Sequence, residues 1–232
     1  MGLPAYALAL YDDYLRFERA APTRHEYVDG RVVAMAGASM PHNMIVGNLI
    51  GLLFGKLKGS GCRVFPSDMR LHIPETGGFT YPDVMIVCGK PELLDEEFDT
   101  LLNPTVIIEV LSESTADYDR GSKFARYRTI SSLREYLTVD SRTCHVEYHA
   151  RETPDAFWAL RETADPAAIV PLRSVGATLA VAEVYDVSWR VNLRAPENAL
   201  FAQKPRAPWL LSPSPTSYLV PLKRTLNKPV KA

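Results

Sequence analysis

Two apolar stretches each contain one acid where a buried strand would carry none. Val106-Ile107-Ile108-Glu109-Val110-Leu111 is apolar on both alternating faces except for Glu109, and Tyr81-Pro82-Asp83-Val84-Met85-Ile86-Val87 repeats the pattern with Asp83. An ionised carboxylate in such a run costs several kcal/mol unless a cation or hydrogen-bond donors compensate. Alternation groups Asp83 with Tyr81 and Met85, and Glu109 with Ile107 and Leu111. Converged carboxylates repel unless a proton or a divalent cation sits between them. Asp83 and Glu109 are therefore candidate ligands of Mg²⁺, a hard cation often held by one or two carboxylates and water. An equally open reading places each acid at a strand end beside an Arg or Lys.

Further polar residues have both an ordinary and a functional reading. Glu26, in His25-Glu26-Tyr27-Val28 before the Asp29-Gly30 turn, reads by composition as an exposed hairpin residue. In the segment from Asp117 to Tyr127, Arg120, Lys123 and Tyr127 share a helical face. Asp119 and Lys123 read as an ordinary i,i+4 pair, worth ~0.3–0.5 kcal/mol when exposed. His42 opens a helix and is expected at its surface end, with lining of a site beside the sheet as the alternative. His25, His72, His145 and His149 have no metal-ligand spacing. No phosphate-binding glycine loop, dinucleotide fingerprint or nucleophile elbow occurs.

The elements that must position these residues follow from hydrophobic period. Leu8 to Arg19 reads as a short amphipathic helix. Strands His25–Val28 and Arg31–Ala36 flank Asp29-Gly30, a two-residue hairpin turn. Asn43 to Lys58 is the clearest helix, with Ile45, Leu49, Leu53 and Leu57 on one face and Gly47, Gly51 and Gly55 forming a second stripe. Each glycine costs ~1 kcal/mol of helix propensity relative to alanine, so the stripe predicts another backbone packed against it, either a sheet or a partner helix. Strands are expected at Cys62–Phe65, Asp68–Ile73, Tyr81–Cys88, Thr105–Leu111, Glu135–Val139 and Cys144–His149, with further strands near Phe157–Leu160 and Ala167–Leu172. Helices are expected near Asp117–Arg128 and Ala182–Tyr185. The order indicates an α/β or α+β domain with a mixed central β-sheet flanked by helices.

At 232 residues the chain suits one domain with a sizeable core. Residues 1–190 are read as that domain. Beyond Arg190, seven basic residues face one acid, so the tail carries +6 and residues 1–190 carry −7 of the net −1. The tail, 191–232, also holds seven prolines and is expected to be an extended appendage. The acidic body argues against strong non-specific binding to nucleic acid. No segment matches a membrane helix or a secretory signal, so a cytoplasmic protein without membrane contact is expected. Cys62, Cys88 and Cys144 are widely spaced, each in an apolar run, and read as free thiols in a reducing compartment.

From Tyr11 to Trp189 the sequence resembles the Uma2 family of bacterial proteins. The ordered landmarks are Glu26-Tyr27-Val28-Asp29-Gly30, Ala34-Met35-Ala36-Gly37, His42-Asn43, Ser67-Asp68-Met69-Arg70, Tyr81-Pro82-Asp83-Val84, Glu109-Val110-Leu111-Ser112, Asp119 with Lys123 and Tyr127, and Leu133-Arg134-Glu135-Tyr136. The resemblance implies the restriction-endonuclease-like fold of the PD-(D/E)xK nucleases and a metal-dependent endonuclease acting on nucleic acid, with DNA as the expected partner. By the same resemblance Asp83 and Glu109 hold Mg²⁺, with Mn²⁺ as substitute, and Glu26 supplies a helical acid's role. The superfamily lysine normally follows the second acid by two residues. Leu111 stands there, and Lys123 from the following helix is the matching lysine. Catalytic residues are thus expected at Glu26, Asp83, Glu109 and Lys123, with His42, Arg120 and Tyr127 as binding residues. The alternative is a catalytically inactive nuclease-fold scaffold binding nucleic acid or a protein partner. A homodimer through the glycine stripe or a sheet edge is a further expectation.

Overall fold

The computed structural model describes residues 11–113 and 115–186. The expectation for residues 191–232 lies outside them. Helix α1 (Tyr11–Ala20) is followed by the hairpin β1 (His25–Val28) and β2 (Arg31–Ala34), and then by helix α2 (Met40–Leu57). Asp29 and Gly30 both have positive φ, as a tight hairpin turn demands. Strands β3 (Cys62–Pro66), β4 (Arg70–Ile73), β5 (Gly78–Thr80), β6 (Val84–Cys88), β7 (Thr100–Leu101) and β8 (Val106–Leu111) come next. A helical segment follows, made of α3 (Ala116–Tyr118), a π turn (Asp119–Lys123) and α4 (Phe124–Tyr127). The chain then forms β9 (Glu135–Asp140), β10 (Val146–Ala150), β11 (Ala159–Thr163), β12 (Ile169–Leu172), β13 (Ala177–Ala180) and α5 (Val181–Val184).

A mixed six-stranded sheet, ordered β11-β10-β9-β8-β6-β3, forms the centre. Its middle strand β8 is buried at every position, which explains its near-continuous apolar sequence. β8 pairs parallel to β9 and antiparallel to β6. The parallel pair requires a crossover, supplied by the helical segment between them. On one face α2 lays Ile45, Leu49, Leu53 and Leu57 over Val84, Ile86, Val106, Ile108 and Leu137. On the other, Phe124, Tyr127, Ile130 and Leu133 pack on Met85, Ile107 and Tyr136, together with Leu71, Ile73 and Leu101. These last three belong to a five-stranded sheet, β2-β1-β5-β4-β7. Tyr14 and Leu15 of α1 pack with Val32 and Phe79 of that sheet. No helix among the described residues is long and apolar enough to cross a membrane.

Two sequence expectations are corrected. The glycine stripe of α2 points away from the core. A Cβ added at Gly47, Gly51 or Gly55 would meet nothing within 4 Å among the described residues, so none of their backbone approaches there. Gly51→Ala should therefore recover helix propensity without a clash and stabilise the protein by up to about 1 kcal/mol, read by urea denaturation. Destabilisation would show that the face is covered after all. Second, Cys62 and Cys88 are not free thiols but form a disulfide. They stand directly opposite in the β3–β6 register, where side chains share a face. Cys144 remains a free thiol. The compartment inferred from three free thiols loses that support.

Candidate active site

The antiparallel register of β6 on β8 sets Met85 opposite Ile107, so the alternation that carries Met85 to Asp83 and Ile107 to Glu109 brings both acids to one face. Asp83 precedes β6, and its Oδ2 accepts the Val110 backbone N–H at 2.7 Å. This bond fixes the carboxylate beside the strand that carries Glu109. The Glu109 side chain is only 4% exposed. Its Oε1 lies 2.9 Å from Lys123 Nζ and accepts the Tyr127 hydroxyl at 2.9 Å. Tyr127 is itself held by Thr80, oxygen to oxygen 3.1 Å.

Lys123 is the hub. Its ammonium lies 3.3 Å from Glu26 Oε1 and 3.4 Å from Asp119 Oδ1, besides its contact with Glu109. Glu26 is buried rather than exposed on its hairpin, and also accepts from the Tyr81 backbone N–H and the Tyr118 hydroxyl, each at 3.4 Å. The Asp119–Lys123 pair is likewise no surface ion pair, since the two side chains are 5% and 7% exposed.

The π turn explains this arrangement and one misplaced residue. An ordinary α-helical period aligns Arg120 with Lys123. The same period aligns Asp119 with Lys123 at i,i+4; the wider π turn keeps that pair and turns Arg120 off the face, while Tyr127 continues the row one α-turn later. Tyr136 from β9 anchors the turn by donating to the Asp119 carbonyl at 2.9 Å. Arg120 is rotated toward β10, where its Nε donates to Glu147 Oε1 at 2.7 Å. It does not join the carboxylate cluster. His42 does: its Nε2 is 3.3 Å from Asp83 Oδ2, and the Ser39 cap at the N-terminus of α2 fixes that approach. It is therefore not simply a surface histidine. Its Nδ1 is buried without a hydrogen-bond partner among the described residues.

Electrostatics follow from three carboxylates, Glu26, Glu109 and Asp119, around one ammonium, with the charge of Asp83 close enough to act on Glu109 and Asp119. Burial pushes the Glu109 carboxyl well above its ordinary range, and the charges of Asp119 and Asp83 push it further, against the pull of Lys123. Burial likewise raises Asp119. Burial alone would lower Lys123, but Glu109 and Glu26 outweigh it and hold the ammonium charged. The cluster therefore has surplus negative charge even with Lys123 ionised.

Among the described residues no set of three or more His, Cys, Asp or Glu side chains is arranged to hold a metal ion. Asp83 and Glu109 nevertheless fit a hard divalent cation by donor type and charge. Such an ion is commonly held by one or two carboxylates, with water and phosphate oxygens completing its shell. Sequence pattern singled out Asp83 and Glu109, and the family resemblance added Glu26, Lys123 and Tyr127; the fold brings these five together. Both missed Asp119 as a member of the site. The i,i+4 spacing to Lys123 was legible, but not its burial.

Comparison with known proteins bears on the family and the fold. Uncharacterized protein sll1609 of Synechocystis sp. (strain ATCC 27184 / PCC 6803 / Kazusa) is 39% identical over 150 residues, spanning 65% of this chain and 84% of that protein. Uncharacterized protein slr1290 of the same organism is 34% identical over 175 residues, spanning 75% and 90%. The fold matches a crystal structure from Anabaena variabilis ATCC 29413, described as "a putative nuclease belonging to DUF820", with a TM-score of 0.64 at 17% identity, covering 78% of this chain and 98% of that one. Residues 11–198 match the family Uma2, described as "Putative restriction endonuclease", and the chain belongs to that family.

Proposed function

We propose that the protein is a metal-dependent endonuclease that hydrolyses phosphodiester bonds of nucleic acid, with DNA as the expected substrate. The observation that supports this most is the convergence of Glu26, Glu109 and Asp119 on one buried lysine, with Asp83 opposite Glu109 in the sheet register, in a member of a family described as "Putative restriction endonuclease". A purely structural lysine would be satisfied by one or two partners. Four acids cost desolvation energy that protonation or a further cation offsets, and a divalent cation would do so at neutral pH.

Asp83 and Glu109 would hold Mg²⁺ or Mn²⁺. A divalent cation bound there would polarise a phosphate oxygen and lower the pKa of a bound water. The protein's own contributions follow from position. The Val110 N–H fixes Asp83, and Tyr127 fixes Glu109, so both carboxylates are oriented before any ligand arrives. Lys123 holds positive charge where negative charge builds on a phosphate in the transition state. Asp119 and Glu26 keep that ammonium in place.

The test is a digestion screen with single- and double-stranded DNA and RNA in Mn²⁺, run beside Asp83→Asn. Cleavage by the wild type that is lost in the variant and in chelator supports the assignment. Metal binding without cleavage of any substrate would favour the inactive scaffold. The ion pairs that occupy Arg120 with Glu147 and Arg126 with Asp29 are the features that scaffold reading would draw on, because they leave fewer free cations for phosphates.

A further inference from the structure

The Cys62–Cys88 disulfide lies at the end of β6 remote from Asp83, outside the carboxylate cluster. Cys62 and Cys88 pack on the core face covered by α2. Cys62 also lines an open pocket of about 450 Å³ where α2 ends and β3 begins. Phe54 forms a wall of that pocket and is 67% exposed. Two cationic side chains, Lys58 and Arg63, complete it. Both are exposed, and neither has a carboxylate partner among the described residues. Arg63 donates only to the neighbouring Cys62 carbonyl at 3.0 Å.

We infer that this pocket is a thiol-exchange site, at which a low-molecular-weight anionic thiol of glutathione size docks on Lys58 and Arg63 and opens the Cys62–Cys88 disulfide reversibly. The pocket is within the range that suits a small ligand. Its two cations, without a carboxylate partner among the described residues, select negative charge, and cations lining the same pocket as a sulfur also favour the attacking thiolate. A buried structural disulfide would lack such a port. In the forward step the thiolate sulfur of the small molecule bonds to Cys62 Sγ, the disulfide breaks, and its electron pair leaves on Cys88 Sγ, which takes a proton from solvent. A second thiolate then attacks the sulfur of the bound small molecule and releases Cys62 as a thiolate. The net reaction consumes two small thiols and yields the protein dithiol and one small disulfide. Oxidised glutathione drives the reverse.

The test uses the full-length protein after equilibration with oxidised glutathione. Alkylation and intact mass should count one free thiol, rising to three after native reduction. Three free thiols at the outset overturn the proposal. Reduction rates are then measured without denaturant, using anionic 3-mercaptopropionate and cationic cysteamine. Their rate ratio is compared between the wild type and Lys58→Gln/Arg63→Gln, so the intrinsic reactivity of each thiol cancels. The double variant should lower the anionic-to-cationic ratio roughly tenfold at low salt, and added salt should shrink the wild-type preference. An unchanged ratio, or reduction only at the rate of global unfolding with every thiol, rejects the site. If the double variant does not fold, the salt dependence of the wild-type ratio decides alone.

Discussion

Lys123→Met should destabilise the metal-free protein by about 3–5 kcal/mol at neutral pH, the cost of leaving buried partners of an ion pair without their counter-charge. An exposed i,i+4 pair would lose no more than about 0.5 kcal/mol. The larger figure applies because Lys123 faces three carboxylates and its side chain is 7% exposed. The pH dependence has a definite sign. Without the ammonium, Glu109 and Asp119 lose the charge that favours their ionised forms, so their folded-state pKa values, already raised by burial, rise further above the unfolded values. The folded variant then binds more protons than its unfolded chain, and its stability increases as pH falls from 7 toward 5. Urea denaturation at both pH values measures the effect. A loss below about 1 kcal/mol at pH 7 would mean the ammonium is solvated and not the hub of the cluster. Lys123→Met/Glu109→Gln should recover much of the loss, because one unpaired acid has gone. If the protein cleaves nucleic acid, Lys123→Met should slow cleavage by about 10²-fold or more, the scale of removing a preorganised transition-state contact.

The buried hub also shows where a sequence stops being informative. Glu109 was visible because β8 is otherwise apolar on both faces, and a lone acid there conflicts with local hydrophobic pattern. The Asp29-Gly30 turn was equally visible, since few residue pairs tolerate two positive φ values. The turn around Gly121 was not. A π turn has no hydrophobic signature of its own, yet it decides whether Arg120 joins Asp119 on the face of Lys123. His42 and Asp83 are brought together by the placement of α2 against the end of β6, a long-range packing outcome with no spacing to announce it. The Cys62–Cys88 pairing depends on the β3–β6 register across 26 residues, so isolated cysteine spacing pointed to free thiols. The glycine stripe was legible as a small-residue face, and of its two expected neighbours the sheet of this chain is not the one that covers it.

Glu109→Gln and Asp83→Asn should each abolish Mn²⁺ binding by calorimetry, and their effects on the metal-free protein separate a metal site from a structural one. The amide introduced by Glu109→Gln keeps an oxygen to accept from Tyr127 and removes a charge whose burial and like-charged neighbours push the carboxyl pKa upward. A carboxyl raised on folding contributes stability that is complete below its unfolded pKa and is lost as pH climbs through the folded one. Wild-type stability should therefore decline across that interval, starting near pH 4 where an unperturbed glutamate titrates, and Glu109→Gln should flatten the decline. At neutral pH the variant should equal or exceed the wild type, since Lys123 keeps Glu26 and Asp119. Asp83→Asn retains an acceptor for the Val110 N–H and should change apo stability little. Wild-type Mn²⁺ binding should in turn tighten with rising pH, because the ion and the proton compete for Glu109. Unchanged Mn²⁺ affinity in both variants would remove Asp83 and Glu109 as ligands. A marked loss of apo stability in Glu109→Gln would instead make Glu109 a structural partner of Lys123, with the surplus of acids left unexplained by a metal.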